Sequence, residues 1–252
     1  MKGLLLWTLA GVAFLLFAWE LAARIYGVGL ILPGPLPVFL NFVALVQTPR
    51  FLLALWDTFV RVLGGIVIAV PLGIIAGVLA GLDKRLNAFL KPFFSAISVT
   101  PVISVILIAF LLLGAGQTPV FTAFLMVFPV IVANTIEGIK SADPKLKELF
   151  AAFRLSRWEK LRYLYFPSLG PFLLGGLRSS LSLCWKVVVA AEVLVQPLGS
   201  LGTGMQRARA NLQTTELFAW TVATICAASL SQGILSLVLK LYNRHAKKGR
   251  KR

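Results

Sequence analysis

The sequence predicts an all-α integral membrane protein with about six transmembrane helices and both termini in the cytoplasm. Of its 252 residues, 58% are hydrophobic and only 13% are charged, whereas soluble domains carry about 25% charged residues. The apolar residues fall in runs of about 20, the length that crosses a hydrocarbon core. Most of the 25 Lys and Arg residues lie in alternate segments between these runs, as the positive-inside rule predicts.

Charge and cysteine content argue against several other classes. A formal net charge of +16 would indicate nucleic-acid binding in a soluble protein, but here the basic residues flank apolar runs and therefore indicate cytoplasmic loops. Cys184 and Cys226 lie inside apolar runs without CxxC spacing, which favours packing over a metal site or a disulfide. His245 stands alone in a basic tail. We therefore expect no metal and no nucleic-acid partner.

The predicted elements follow in order along one domain, residues 1–252. The first apolar run, 4–22, is too long for a signal peptide and lacks a small-residue cleavage site, so we predict an uncleaved span. In the next segment, 31–61, closely spaced prolines are expected to forbid a regular helix at first, and the remainder is predicted as an amphipathic interfacial helix. Further spans are predicted at 62–82, 94–113, 120–136, 171–195 and 218–241, with a cytoplasmic loop over 140–168 and a basic cytoplasmic tail over 242–252.

Small residues recur every four positions in the second predicted span. This spacing puts small side chains on one face of a helix, so that another helix backbone can approach closely. Packing within the chain is the simpler interpretation, and a surface that faces another subunit is the alternative. The strip consists of Gly65, Ala69, Gly73, Gly77 and Gly81.

The cytoplasmic loop is predicted to hold two short helices. Asp143 and Pro144 form an N-cap followed by proline at the first helical position. Ser156 and Glu159 have the spacing of a capping box, which starts a second helix that is expected to end before Pro167. A capped pair of helices is more than a connection between two spans requires, although an ordinary interfacial hairpin would also have this form.

This loop resembles the EAA loop of the permease subunits of ABC importers, whose pattern is E-A-A, three residues, G, nine residues, I-x-L-P. Glu148 stands at the glutamate and residues 164–167 match the end of the pattern, with the spacing kept. Leu149 and Phe150 replace the two alanines, and Arg154 replaces the glycine. If the turn needs a left-handed residue there, arginine costs on the order of 1 kcal/mol.

The resemblance covers nearly the whole chain, and the branch it matches best is that of the nitrate, sulfonate and taurine permeases. That branch often has a second proline in the third span, where this chain has only Pro101. The other matching motifs are Leu32-Pro33-Gly34-Pro35, Arg61 to Gly65, Pro71-Leu72-Gly73 with Gly77, Phe128-Pro129 with Asn134-Thr135, Asp143-Pro144, Gly176-Leu177-Arg178, Trp185, Glu192, Gly199 and Leu201-Gly202.

The resemblance implies a transport subunit of the bacterial inner membrane and not an enzyme. It implies a second copy of the permease, two cytoplasmic ATPase subunits that use ATP and Mg, and an extracytoplasmic binding protein that delivers a small anion such as nitrate, a sulfonate, taurine or bicarbonate. The chain lacks a G-x-x-x-x-G-K-[ST] phosphate loop, so we expect it to bind no cofactor itself. The residues expected to couple to the ATPase are Glu148, Ala151, Ala152, Arg154, Ser156, Arg157, Trp158, Glu159 and Pro167.

Charged residues inside the fifth predicted span are candidates for the solute path. A charge at the bilayer centre costs roughly 2.5–3.5 kcal/mol, so it normally faces a partner or water. Lys186 and Glu192 are six residues apart and do not share a helix face. Lys186 could pair with an acid on another helix, for example Glu20, or contact an anion in the path. The candidate path residues are Lys186, Glu192, Trp185, Ser104 and Asn134.

Two alternatives stay open at this point. The same machinery could carry a vitamin precursor, which is neutral. A secondary transporter driven by an ion gradient is the alternative from another class, but such proteins contain broken helices within inverted repeats, and this chain has one candidate break, at Pro101, and no internal repeat. A membrane-embedded enzyme would need positioned His, Asp or Glu residues that the sequence does not provide.

Overall fold

The computed structural model describes residues 2–249, and for residues 2, 4, 5 and 241–249 it describes the backbone only. Every regular element in this part of the chain is helical, so the all-α prediction is confirmed. The side chains of the predicted basic tail, 242–252, lie outside the described residues. The helices are α1 (Lys2–Tyr26), α2 (Pro35–Val46), α3 (Pro49–Leu82), α4 (Lys84–Val99), α5 (Val102–Lys140), α6 (Pro144–Ala152), α7 (Arg157–Lys160), α8 (Phe166–Val195), α9 (Leu201–Ala210) and α10 (Thr214–Gly249).

The chain forms two compact units. Unit 1 comprises Met1–Thr58 and Glu192–Ala227, and unit 2 comprises Phe59–Ala191 and Ala228–Arg252. Unit 1 contains α1, α2 and α9, and unit 2 contains α4 to α7. The boundaries between the units lie within α3, α8 and α10.

Five helices of the described chain are long and apolar enough to cross a membrane. Four of them overlap the predicted spans 4–22, 62–82, 171–195 and 218–241. The predicted spans 94–113 and 120–136 do not correspond to two separate helices. The chain instead breaks at Thr100 and Pro101, within the first of these spans, and one long helix, α5, follows. The five candidates are Leu6–Tyr26, Pro49–Leu82, Val102–Lys140, Arg157–Val195 and Thr214–Lys240.

Helix α5 reverses direction at Gly114, whose backbone is left-handed and extended (φ 73°, ψ 175°). In a straight helix Val105 and Met126 would lie about 31 Å apart, yet both belong to one buried cluster. The element therefore consists of two antiparallel arms, a first arm over 102–113 and a second arm over 115–140. Only glycine adopts this φ and ψ without strain, which explains the residue at the reversal.

The N-terminal third contains two boundary errors in the prediction. Pro35 and Pro37 were expected to forbid a helix, but α2 starts at Pro35 and has both prolines in its first turn. The N–H groups of a first turn have no partner within the helix, so proline removes nothing there. Helix α3 starts at Pro49 rather than at residue 62, so the predicted interfacial helix is divided between α2 and the beginning of α3.

In unit 2 the strip of small residues on α3 packs against the second arm of α5. A Cβ added to Gly73 would lie 2.8 Å from the Cβ of Ile131, and one added to Gly81 would lie 2.9 Å from the Cβ of Ile139. Real Cβ atoms do not approach this closely, so the two backbones meet at a distance that only small residues permit. The strip is therefore occupied by a helix of the same chain.

Candidate functional site

In unit 2, α4 and α8 pack on two sides of the second arm of α5. Phe94 of α4 lies with its ring centroid 5.8 Å from that of Phe128. On the other side, a Cβ added to Gly176 of α8 would lie 3.1 Å from the Cβ of Asn134. Because α3 covers a third side, the second arm retains one open side, on which Ala133 is exposed.

Helix α8 also has one open side, and that side is polar. Its other sides are covered within unit 2, since Cys184 Sγ donates to the carbonyl of Val62 (3.4 Å) and Trp185 Nε1 donates to Ser231 Oγ (2.9 Å). The uncovered residues recur every three or four positions and so share one helix face. They are Gly175, Arg178, Ser179, Lys186 and Ala190, with Ser182 half-buried between them.

The polar row on α4 is the counterpart of the row on α8. Asn87, Lys91, Ser95 and Ser98 follow each other at helical spacing and line a cavity of about 470 Å³ between α4 and the second arm of α5. We call the row on α8, the row on α4 and the open side of the second arm together the polar face of unit 2. In a membrane-embedded helix bundle, a polar face of this kind is expected to contact water or protein and not lipid.

The structure separates the predicted path residues from one another. Lys186 is exposed on the polar face, and Ser104 is exposed on the first arm of α5. Asn134 is half-buried and its Nδ2 donates to the carbonyl of Val130 (2.8 Å). Trp185 is buried and bonded to Ser231, so it lies on a covered side of α8 and not on the polar face.

Glu192 belongs to a buried cluster in unit 1. Its side chain is fully enclosed, and the hydroxyl of Thr58 donates to both carboxylate oxygens (3.0 and 2.9 Å). The N–H of Gly202 donates to Oε2 (3.2 Å), and the N–H of Leu201 donates to Thr58 Oγ1 (3.1 Å). The carboxylate therefore caps the N-terminus of α9, where the helix dipole favours negative charge. We call these four residues the Glu192 cluster.

Close packing around α9 adds to the hydrogen bonds of the Glu192 cluster, and together they anchor α9 within unit 1. A Cβ added to Gly204 of α9 would lie 2.6 Å from the indole ring of Trp220, and one added to Gly202 would clash with the Cβ of Glu192. Neither α9 nor the role of Thr58 was predicted, and for Thr58 the reason is its separation of 134 positions from Glu192. The Gly-x-Gly spacing of 202 and 204 was the available signal. Glu20, considered above as a partner for Lys186, pairs with Arg24 at 2.7 Å in α1.

The loop between α5 and α8 has the two caps that the sequence predicted. Asp143 Oδ1 accepts from the N–H of Lys145 (2.8 Å) at the start of α6. At the start of α7, Ser156 N–H donates to Glu159 Oε2 (2.7 Å) and Glu159 N–H donates to Ser156 Oγ (3.2 Å). These bonds from Ser156 hold the pKa of the Glu159 carboxyl below its usual value. The local fold of this loop therefore follows from its own caps.

The turn between α6 and α7 is left-handed at Arg154, with φ 49°. The N–H of Arg154 donates to Ala151 and that of Leu155 donates to Phe150, which closes the end of α6. The glycine of the EAA pattern corresponds to this position, so the arginine takes up a backbone conformation that favours glycine. The turn therefore does need a left-handed residue at this position, and Arg154 supplies it.

Helices α6 and α7 form the open part of the loop, whereas Ala142 and Leu164 near its two ends are buried. Helices α6 and α7 contain no buried residue, and the side chains of Phe153 and Trp158 are 71% and 66% exposed. The second helix of the loop was predicted to end before Pro167, but the helical backbone does not end there. A π-helical turn over Leu161–Tyr165 connects α7 directly to α8. Proline in the first turn of α8 is compatible with a helix. Among the other predicted coupling residues Glu159 is half-buried, and the exposed ones are Glu148, Ala151, Ala152, Arg154, Ser156, Arg157 and Pro167.

Comparison with known proteins gives a consistent family. Residues 69–248 match the family described as binding-protein-dependent transport system inner membrane component. The chain is 28% identical over 218 residues to the bicarbonate transport system permease protein CmpB of Synechococcus elongatus, which covers 80% of this chain and 76% of CmpB. It is 27% identical over 203 residues to the nitrate import permease protein NrtB of a Synechocystis species, covering 77% and 72%.

The fold has a counterpart among solved structures. A chain in the crystal structure of an amino acid ABC transporter with histidines superposes with a TM-score of 0.65 at 17% sequence identity. The match covers 81% of this chain and 98% of the solved one. At this identity the likeness concerns the fold alone.

Proposed function

Because the chain belongs to the family of binding-protein-dependent transport system inner membrane components, and is thus a multi-pass ABC importer permease, we propose that its polar face in unit 2 lines a path for small oxyanions. The observation that carries this proposal is the position of Lys186, exposed in the row of small and polar residues on α8. An ammonium facing lipid would cost roughly 2.5–3.5 kcal/mol. An aqueous path that carries anions removes that cost.

The solute class is supported by chemistry as well as by relatives. Bicarbonate and nitrate, for which the two relatives are named, are both small oxyanions. An exposed ammonium and a guanidinium, Lys186 and Arg178, lie on the same open side of α8 and are suited to such ions. A neutral vitamin precursor would have no use for this pair of charges.

Six crossings are the topology that this proposal adopts. The first arm of α5 has 12 residues, about 18 Å, and is too short for a hydrocarbon core of about 30 Å. Together with α4 it is long enough, and the second arm then returns as a separate crossing. This arrangement puts both termini and the loop over 140–168 in the cytoplasm, in agreement with the distribution of Lys and Arg. Units 1 and 2 form a single permease domain, 1–252, in the bacterial inner membrane.

Assembly follows from the open surfaces. A second copy of the chain covers the polar face, so that the path runs between two identical permeases. Two cytoplasmic ATPase subunits, which bind ATP and Mg, dock on the two exposed loops through α6 and α7. An extracytoplasmic binding protein delivers the solute. A mass measurement of the purified complex is expected to give two permease copies for every two ATPase subunits.

The solute proposal is tested by uptake into proteoliposomes that contain the permease with its ATPase and its binding protein. Lys186→Met is expected to lower nitrate or bicarbonate uptake at least about tenfold, while the apparent Tm stays unchanged because the side chain is exposed. Lys240→Met, which removes an exposed lysine near the end of α10, serves as the control. Normal anion uptake by Lys186→Met would overturn the proposed path.

The coupling role of the loop is tested in the same preparation. Glu148→Ala and Arg157→Glu are expected to lower uptake and solute-stimulated ATP hydrolysis together, because both residues are exposed on the loop. Membrane insertion should be intact, since neither side chain packs in a core. Unchanged coupling in both variants would show that the ATPase docks elsewhere.

A further inference from the structure

The cavity between α4 and the second arm of α5 contains an unusual set of hydrogen-bond donors. On its α4 wall, Asn87, Lys91 and Ser95 follow each other every four residues, so all three lie on one face over about 12 Å. The opposite wall is apolar apart from Glu137 and Lys140, which form an ion pair with each other (3.2 Å). The cavity as a whole therefore carries the single positive charge of Lys91.

None of these three side chains has a partner within the part of the chain that the structure describes. The ammonium of Lys91 forms no ion pair there, and the side chains of Asn87 and Ser95 form no hydrogen bond there. Ser98 differs, because its hydroxyl already donates to the carbonyl of Phe94 (2.8 Å). The wall thus offers an ammonium, an amide and a hydroxyl to whatever occupies the cavity.

We propose that this cavity binds an oxyanion group, held by Lys91 with the help of Asn87 and Ser95. Bonds from a charged donor to an oxyanion are shorter and stronger than neutral ones, and the neighbouring amide and hydroxyl can donate to the remaining oxygens. A metal cation would be repelled by Lys91. The group could belong to a free small anion or to the headgroup of an anionic phospholipid, since basic pockets between membrane helices bind such headgroups.

This site is separate from Lys186, and it does not depend on which solute the protein carries. The cavity belongs to the α4 part of the polar face, whereas the proposal of a solute path rests on Lys186 in the α8 row. Normal anion uptake by Lys186→Met would overturn the proposed path without removing the donors at Lys91, and loss of anion binding at Lys91 would not bear on Lys186, so the two failures are distinguishable.

The test is a thermal titration of the purified full-length permease in nanodiscs of phosphatidylcholine. A ligand that binds only the folded protein raises the apparent Tm in a saturable way. Sodium nitrate is compared with sodium chloride at equal ionic strength. Wild type and Lys84→Gln, which removes a charge at the start of α4 outside the cavity, should show the rise. Lys91→Gln should need at least about tenfold more nitrate, and Lys91→Arg should retain the effect.

A second series replaces part of the phosphatidylcholine by phosphatidylglycerol without nitrate. A rise in Tm that depends on Lys91 in this series, without a nitrate response, would assign the site to a lipid headgroup, whereas the nitrate response would assign it to a free anion. Absence of both responses in wild type, or an equal loss in Lys84→Gln and Lys91→Gln, would overturn the proposal. If Lys91→Gln does not fold, Ser95→Ala and Asn87→Ala provide the same comparison and should each weaken the response about threefold.

Discussion

Lys186 and Glu192 stand six positions apart on one helix, and their surroundings differ completely. Glu192 is enclosed in unit 1 and accepts hydrogen bonds from Thr58 and Gly202. Lys186 is exposed in unit 2, in a row of small and polar residues. Sequence analysis treated both as candidates for a solute path. The difference teaches that charges within one apolar run can have opposite surroundings, and that burial and bonding exclude Glu192 from the proposed path while the exposure of Lys186 is compatible with it.

The largest effect is expected where the anchor is packed most tightly. Gly204→Ala puts a Cβ about 2.6 Å from the ring of Trp220, and neither the backbone nor the indole can yield easily. Overpacking of this kind costs about 1–3 kcal/mol, so the apparent Tm should fall by several degrees. Gly175→Ala on the polar face has no atom within 4 Å of the new Cβ and is the matched control. Equal Tm values for the two variants would contradict the tight packing of α9.

A similar or somewhat smaller loss is expected from Thr58→Val. This isosteric change removes the hydroxyl that donates to Glu192 and accepts from Leu201, and it leaves buried polar groups without that partner. The expected cost is about 1–3 kcal/mol, measured as a lower apparent Tm. Thr221→Val is the control, because the hydroxyl of Thr221 is exposed and bonds only to the carbonyl of Leu217 in its own helix. A stable Thr58→Val protein would mean that the Glu192 cluster is not an anchor.

The two units also differ in how much of them could be predicted. The caps at Asp143 and Ser156 were predicted correctly, because capping depends on residues only two or three positions away. The Glu192 cluster was not predicted, since it joins Thr58 to a residue 134 positions later and no periodicity encodes such a contact. Lys186 was singled out by its charge alone, whereas its exposure could come only from the packing of its neighbours.

The reversal within α5 is a second feature that the sequence did not predict. Gly114 lies in a continuous apolar run, where one glycine is compatible with a helix. The predicted spans on either side, 94–113 and 120–136, differ from the helices in their bounds, because α4 ends at Val99 and the second arm extends to Lys140. The positive φ that reverses the chain is a property of the packed arms, which bring Val105 and Met126 together.

The smallest effect is expected in the exposed loop, which depends on its own caps and not on a core. Arg154→Gly should relieve a left-handed arginine by about 1 kcal/mol, which stabilises the turn between α6 and α7. The apparent Tm of the whole protein should change little, since no residue of α6 or α7 is buried. Amide hydrogen exchange at residues 151–160 should become slower. Faster exchange there would show that the arginine side chain stabilises the turn.

The central claim is that the polar face of unit 2 meets water within the membrane, and cysteine accessibility tests it most directly. In a Cys226→Ser background, Ser182→Cys lies in the row that contains Lys186, and Leu230→Cys lies at an exposed apolar position of α10. A charged thiosulfonate reagent reacts with thiolates, which form in water and not in lipid. We expect Ser182→Cys to be modified in the assembled transporter and Leu230→Cys to remain unmodified. An unreactive Ser182→Cys in both the nucleotide-free and the ATP-bound complex would contradict the claim.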